Sequence, residues 1–236
     1  MKSLAPHASP RPGLAFWLLV LFLFLPSFSV EAGAPPAVSP KRVVFLGDSL
    51  TAGLGVDVEE AYPACVQRKI TAAGLPFVVV NAGVSGDTTA GGLRRVDWIL
   101  RQPVDVLVVA LGGNDGLRGL TPALTRSNLS AIIDKARSLY PKARVLVAGM
   151  RMPPSMGPDY TKEFKATFPE VAREKHVGLI PFLLEGVGGN PELNQADQIH
   201  PTPEGHRRIG ETVWATLKPL LEASAAAVAT PSGSSP

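Results

Sequence analysis

Val43-Val44-Phe45-Leu46-Gly47-Asp48-Ser49-Leu50, in a chain of 236 residues, joins an apolar run to a polar turn. Four apolar residues in succession are typical of a buried strand, and Gly47 then ends that strand in a turn. Similar apolar runs occupy residues 77–80, 106–111 and 145–148. Continuous apolar runs, without alternating polar residues, are typical of parallel strands whose two faces are both covered by helices.

Segments with helical spacing separate these runs. We predict helices over residues 61–73, 89–101 and 161–175, and two more that begin at Thr121-Pro122 and Thr202-Pro203. Residues 179–182 form a short fifth strand, and Pro181 places it at a sheet edge because proline cannot donate to the ladder. The alternation predicts an α/β protein, a three-layer α/β/α sandwich with a flavodoxin-like five-stranded parallel sheet and right-handed crossovers.

The amino terminus has the composition of a secretory signal peptide. Lys2 and Arg11 are positive, residues 14–25 form an unbroken apolar run, and Val30-Glu31-Ala32 offers a small-residue cleavage pattern. The run is shorter than the roughly 20 residues that cross a bilayer. We therefore predict a signal peptide over residues 1–32 and a periplasmic or secreted protein with no stable membrane anchor. An uncleaved anchor is the alternative.

The rest of the chain is long enough for one domain with an ample core. We expect an exposed lead-in over residues 33–41 and the domain over residues 42–222. Residues 223–236 are rich in Ala, Ser, Pro and Gly without periodicity, which predicts a disordered tail. Cys65 is the single cysteine, so no internal disulfide is possible.

The charge gives no reason to expect a nucleic-acid partner. The chain carries +3 overall, and removal of the signal peptide takes away Lys2, Arg11 and Glu31 to leave +2. No basic run with interleaved aromatic residues is present, which argues against nucleic acid. No His and Asp cluster has metal-ligand spacing, so we expect neither a metal nor another cofactor.

Four short clusters are predicted to lie past the carboxyl ends of strands, at residues 47–50, 83–87, 112–115 and 197–200. Ligands of open α/β sheets bind in the crevice at that edge. Together the clusters offer a serine, a histidine with a nearby carboxylate, a glycine backbone and an asparagine amide. These groups are the ones needed to attack an ester carbonyl.

Ser49 is the candidate nucleophile, although serine is also common in turns. A serine hydroxyl needs an adjacent base, and His200 is the best candidate because Asp197 precedes it by three residues in a loop. That spacing lets the carboxylate accept a hydrogen bond from the ring. Alternatively, Asp197 simply caps the turn. His176 is expected near a helix end at the surface, and His206 is expected to be exposed.

Donors for an oxyanion can come from the other two clusters. Gly86 leaves its backbone N–H unshielded, and Asn114 offers a side-chain amide, although both residues are also common in ordinary turns. Asp48, Asp87 and Asp115 are rival acids. Each lies in a glycine-rich turn, so we expect them to bond to local backbone and hold the loops.

With these motifs, the chain resembles the SGNH subgroup of GDSL-type serine esterases and lipases. The blocks that carry the resemblance are Gly47-Asp48-Ser49-Leu50, residues 81–88, Gly112-Gly113-Asn114-Asp115 and Asp197-Gln198-Ile199-His200-Pro201. The likeness runs from about residue 42 to residue 220, and residues 111–119 look especially like bacterial periplasmic acyl hydrolases. Gln198 departs from the pattern, since relatives often carry glycine there. The Gly-x-Ser-x-Gly signature of α/β-hydrolases is absent.

The resemblance implies a nucleophile at Ser49, a base at His200 and an orienting acid at Asp197. It also implies an oxyanion hole made by the backbone N–H groups of Ser49 and Gly86 and the amide of Asn114.

The expected function is an exported serine esterase for a small-molecule carboxylic ester or thioester, of arylesterase, thioesterase or lysophospholipase type. Residues 152–160 and 183–189 are candidate walls of an acyl groove, or else plain surface connections. A carbohydrate O-acetyl esterase and a non-catalytic envelope binding protein are the alternatives.

Overall fold

The computed structural model describes residues 40–229, in which strands and helices alternate. Within that range the strands are Lys41–Gly47 (β1), Phe77–Gly83 (β2), Val106–Ala110 (β3), Arg144–Ala148 (β4) and Gly178–Ile180 (β5). All pair in parallel, in the order β2-β1-β3-β4-β5. This confirms the predicted five-stranded parallel sheet. It also confirms the edge position of the last strand, which ends directly before Pro181.

Helices cover both faces of the sheet. They are Ser49–Ala52 (α1), Tyr62–Ala72 (α2), Thr89–Ile99 (α3), Gly113–Leu117 (α4), Pro122–Leu139 (α5), Pro158–Glu174 (α6) and Pro203–Ala229 (α7), with a 3₁₀ turn at Pro154–Met156. α2 packs against α7, whereas α5 packs against both α3 and α6. Thr121 starts α5 as predicted, because its hydroxyl accepts the Leu124 N–H ahead of Pro122.

The centre of the molecule is built from β1 and β3. Val43, Val44, Phe45 and Leu46 of β1 are fully buried, as are Val106, Leu107, Val108 and Val109 of β3. Full burial of one such side chain contributes roughly 1.5–3 kcal/mol to folding. The first and third polar clusters therefore follow strands that are fixed in the core of the domain.

The ends of the domain differ from the sequence expectations. β1 begins at Lys41 and α7 continues to Ala229, whereas the domain was expected to span residues 42–222. Residues 223–229 of the expected tail continue α7, because alanine is the strongest helix former. The signal peptide, residues 33–39 of the lead-in and residues 230–236 lie outside the described residues. No helix in the described part of the chain is long and apolar enough to cross a membrane.

Candidate active site

Ser49 is placed by the junction of β1 and α1. Asp48 caps α1, with its Oδ1 accepting the Leu50 N–H at 3.0 Å, so Ser49 is the first residue of a short helix and not part of a simple turn. α1 lies directly against the end of β2. A Cβ on Gly83 would be 2.2 Å from the backbone nitrogen of Ala52, so this close approach requires glycine.

Ser49, His200 and Asp197 form a continuous hydrogen-bonded chain. The distance from Ser49 Oγ to His200 Nε2 is 2.9 Å, and that from His200 Nδ1 to Asp197 Oδ2 is 2.6 Å. Asp197 Oδ1 also accepts the backbone N–H groups of Ile199 at 2.9 Å and His200 at 3.0 Å. The carboxylate therefore caps its turn and holds the imidazole, so both of the duties considered for it occur together.

The charge on Asp197 determines which ring nitrogen of His200 carries the proton. The hydrogen bond from the His200 ring, followed by those from the His200 and Ile199 backbone, holds the pKa of Asp197 well below its usual range. The ionised carboxylate favours a proton on Nδ1, which leaves Nε2 free to accept the Ser49 hydroxyl proton.

Gln198, between Asp197 and His200 in the sequence, has a backbone φ of +58°, a conformation in which glycine is usual.

The fourth cluster lies farther from a strand than expected. Asp197 and His200 belong to the long loop between β5 and α7, and the loop returns to the carboxyl edge of the sheet through contacts with other loops. Gln195 Nε2 donates to the carbonyls of Leu54 at 2.8 Å and of Pro201 at 2.9 Å. The bond to Leu54 joins the loop that follows α1 to the loop that carries His200, and the bond to Pro201 lies within the His200 loop.

Asn114 lies on α4 and reaches toward both neighbouring clusters. Its Nδ2 donates to the Asp87 carbonyl at 2.9 Å and lies 3.4 Å from Asp48 Oδ2. Below it, buried Asp115 accepts the Thr89 N–H at 2.8 Å and also the Thr89 hydroxyl. These bonds fix α4 against the start of α3.

The three rival acids have different duties. Asp48 bonds to local backbone as expected, but the prediction is wrong for Asp87 and Asp115. Asp87 pairs with Arg95 at 2.6 Å, and Asp115 bonds to Thr89, 26 residues away. The reason is that α3 crosses the site and supplies partners that local spacing does not reveal. Burial, with only 2% of Asp48 exposed, raises the pKa of this carboxyl to about 6.

Gly86 lies on the loop after β2 with φ +77°, a conformation that glycine adopts without strain. Its carbonyl accepts Arg118 Nη2 at 2.9 Å. Arg118 caps α4, the helix of Asn114. The second and third clusters are therefore in direct contact.

A groove of about 530 Å³ opens beside Ser49, Asn114 and His200. Its apolar lining residues are Leu50, Leu117, Met150, Met152, Pro153, Pro154, Phe182, Leu184 and Ile199. Both predicted wall segments contribute, through residues 152–154 and through Leu184, Gly188 and Gly189. The sequence analysis did not identify Met150 and Phe182 as groove residues. Each lies two residues past the end of a strand, β4 or β5, and that position could have indicated their role.

The two other histidines of the described chain lie outside the site. His176 is exposed at the end of α6, as predicted. His206, predicted to be exposed, is fully buried where α7 packs on α2. Its Nδ1 accepts the Tyr62 N–H at 3.3 Å, and its Nε2 has no partner among residues 40–229. No group of three or more His, Cys, Asp or Glu side chains in that range could hold a metal ion.

Comparisons with known proteins agree with this geometry. A model of the GDSL-like lipase/acylhydrolase family matches residues 45–208. The chain is 44% identical over 182 residues to Esterase TesA of Pseudomonas aeruginosa, covering 77% of this chain and 90% of the relative. It is 37% identical over 202 residues to Thioesterase 1/protease 1/lysophospholipase L1 of Escherichia coli K12, covering 85% of this chain and 92% of the relative.

The same relationship appears in three dimensions. A crystal structure of TesA matches with a TM-score of 0.73 and 42% identity, covering 76% of this chain and 99% of that chain. The family model's match over residues 45–208 includes the end of β1, strands β2 to β5, α1 and the loop that carries His200. With a serine hydrolase geometry and relatives that are named esterases, this protein is an esterase and belongs to the GDSL-like lipase/acylhydrolase family.

Proposed function

We propose that this esterase is exported and hydrolyses carboxylic esters and thioesters through an acyl-enzyme on Ser49. The observation that supports the proposal is the hydrogen-bonded chain from Ser49 through His200 to Asp197. The distance is 2.9 Å between Ser49 Oγ and His200 Nε2 and 2.6 Å between His200 Nδ1 and Asp197 Oδ2. The groove beside that chain is mostly apolar. Together they provide an activated hydroxyl and a place for an acyl group.

The proposed reaction begins when Ser49 Oγ attacks the carbonyl carbon and His200 Nε2 takes the hydroxyl proton. The tetrahedral intermediate places negative charge on the former carbonyl oxygen. In the proposal, the N–H groups of Ser49 and Gly86 and the amide of Asn114 donate to that oxygen. Asp197 stabilises the imidazolium that has formed.

The second half of the reaction returns the enzyme to its starting state. His200 gives its proton to the departing alcohol or thiol, the carbon–oxygen or carbon–sulfur bond breaks, and the acyl group stays on Ser49. Water then enters, loses a proton to His200 and attacks the acyl-enzyme. Collapse of that intermediate releases the acid and restores the Ser49 hydroxyl.

The groove supports an acyl substrate rather than an acetylated sugar. Met150, Met152, Phe182 and Leu184 offer apolar contact, whereas recognition of sugar hydroxyls needs more polar walls. The curated relatives carry the names esterase, thioesterase and lysophospholipase. We therefore place this chain in the arylesterase, thioesterase or lysophospholipase group.

Export is proposed from the sequence of residues 1–32, with its positive start and apolar run. Sequencing the amino terminus of protein recovered from a bacterium that expresses the full chain tests this. A mature protein that begins after residue 32 is expected, and a product that still begins at Met1 would argue against cleavage.

A substrate series tests the reaction itself. We expect hydrolysis of p-nitrophenyl acetate, longer p-nitrophenyl esters and an acyl thioester by the wild type, and none by Ser49→Ala. Preference for an acetylated sugar would favour the carbohydrate esterase alternative. Hydrolysis of none of these substrates by a folded wild type would favour a binding protein.

A further inference from the structure

Arg95 on α3 uses its three guanidinium nitrogens to bind three different segments. Nε donates to Asp87 Oδ2 at 2.6 Å, Nη1 to the Ala82 carbonyl at 2.7 Å and Nη2 to the Gly47 carbonyl at 2.8 Å. The Arg95 and Asp87 side chains are only 22% and 10% exposed. Such shielded, charge-assisted bonds are stronger and less screened than those of a surface ion pair.

These acceptors lie directly behind the groups that the proposed reaction uses. Gly47 ends β1 two residues before Ser49, and Ala82 lies in β2 just before the loop that carries Gly86. Asp87 continues the connection, because its backbone carbonyl accepts Asn114 Nδ2 at 2.9 Å. Arg95 is thus bonded directly to the segments that carry two proposed oxyanion donors, the N–H groups of Ser49 and Gly86. Through Asp87 it is also connected to the third donor, the Asn114 amide.

The local sequence makes room for this arrangement. A Cβ on Gly91 would be 1.7 Å from Asp87 Oδ1, so glycine at this position lets the carboxylate lie against α3. The planar guanidinium presents donors in fixed, divergent directions. A lysine ammonium would keep the charge, but its single nitrogen cannot reproduce the three separated bonds. The neighbouring Arg94 is exposed, so it provides a matched comparison on the same helix.

We propose that Arg95 is a positioning residue for the oxyanion hole, an inference that rests on the proposed function. It fixes the spacing between the Ser49 N–H, the Gly86 N–H and the Asn114 amide, and it does not touch the substrate. Loss of the fixed spacing weakens transition-state stabilisation, because displacement of a catalytic group by about 1 Å can cost on the order of 10²-fold in rate.

Arg95→Lys and Arg94→Lys, measured beside the wild type and Ser49→Ala, test the inference. Active sites are first counted by complete labelling with a fluorophosphonate. For Arg95→Lys we expect kcat per labelled site to fall roughly tenfold to a hundredfold, with KM for a p-nitrophenyl ester changed by less than about threefold. The inhibition constant of a trifluoromethyl ketone, which forms an anionic adduct, should rise in parallel. Arg94→Lys should match the wild type.

A purely structural role gives a different result. Arg95→Lys would then show a lower melting temperature or fewer labelled sites, while kcat per labelled site and ketone inhibition stay at wild-type values; that outcome overturns the inference. If Arg95→Lys does not fold, Asp87→Asn replaces it, and unchanged kcat and ketone inhibition in that variant overturn the inference equally. An active Ser49→Ala enzyme would instead remove the proposed function, and with it the inference.

Discussion

Two carboxylates near Ser49 show how environment separates the duties of identical side chains. Asp197 accepts three hydrogen bonds from His200 and Ile199, which keep it ionised beside the imidazole. Asp48 is buried, and burial raises its pKa to about 6. The first carboxylate is suited to stabilise an imidazolium, and the second caps α1 beside the Asn114 amide.

Asn114→Ala tests the proposed oxyanion donor. Removal of one such donor costs roughly 10²–10³ in kcat, so we expect a loss of that size with the fold retained. Steady-state kinetics on a p-nitrophenyl ester and the circular dichroism spectrum check both parts. Near-wild-type turnover by this variant would exclude Asn114 from the mechanism.

At the scale of elements, a four-residue helix, α1, carries the proposed nucleophile. α1 has four residues, too few to be stable alone. It is held by its Asp48 cap and by contact with the end of β2. Thr51 adds a hydrogen bond between its hydroxyl and that of Tyr62 at 2.7 Å, which joins α1 to α2. Ser49 is therefore positioned by tertiary contacts and not by helix propensity.

Gly83→Ala tests that dependence. The new methyl group would collide with the Ala52 nitrogen, and overpacking of this kind costs about 1–3 kcal/mol. We expect the free energy of unfolding in urea to fall by that amount and kcat to fall with it, because α1 must move. Gly188→Ala is the control for stability alone, since its Cβ would meet only ordinary contacts at 3.4 Å but Gly188 lines the groove. Equal stability of the two variants would contradict the packing argument.

The long elements could be predicted because each carries its own signal. β1 and β3 are apolar runs, and α5 has a Thr-Pro start and helical spacing. α1 and α4 could not be predicted, because four or five residues are too few to show a period. The burial of His206 depends on which face of α7 meets α2, and the sequence of α7 alone does not contain that information.

At the scale of the whole molecule, the fold brings together side chains that are 151 residues apart, Ser49 and His200. β1, an interior strand of the sheet, ends two residues before Ser49. α7 follows the loop that carries His200 and packs on α2, the helix that follows α1 in the chain. The bond from Gln195 to the Leu54 carbonyl closes the gap between the two loops. The order of the four clusters in the sequence indicated their common site, but not these connections.

The pH dependence of stability is expected to contain two opposing contributions. Burial lowers the pKa of His206 from 6.5 to about 4, so the unfolded chain binds the proton first and stability is lost as pH falls from 6.5 to 4. Burial raises the pKa of Asp48 from 3.8 to about 6. The folded chain therefore binds this proton first, and stability is lost as pH rises through that range. Each contribution is about 3 kcal/mol, and the two largely cancel between pH 4 and 6.

Single variants should expose the two contributions separately. Asp48→Asn keeps a capping oxygen and should lose stability steeply as pH falls from 6.5 to 4. His206→Asn should instead gain stability as pH falls from 6 to 4. Urea unfolding of both variants and the wild type at several pH values measures the slopes. Identical slopes in all three proteins would contradict the assignment of these shifts to burial.

Fluorophosphonate labelling followed by mass spectrometry tests the central claim that His200 activates Ser49 as a nucleophile. We expect one phosphonyl group per wild-type chain, on the peptide that contains Ser49, and no label on Ser49→Ala. His200→Ala should be labelled far more slowly than the wild type, while His176→Ala, which changes an exposed histidine, should be labelled at the wild-type rate. A label on another side chain, or equal labelling rates for His200→Ala and the wild type, would contradict the account.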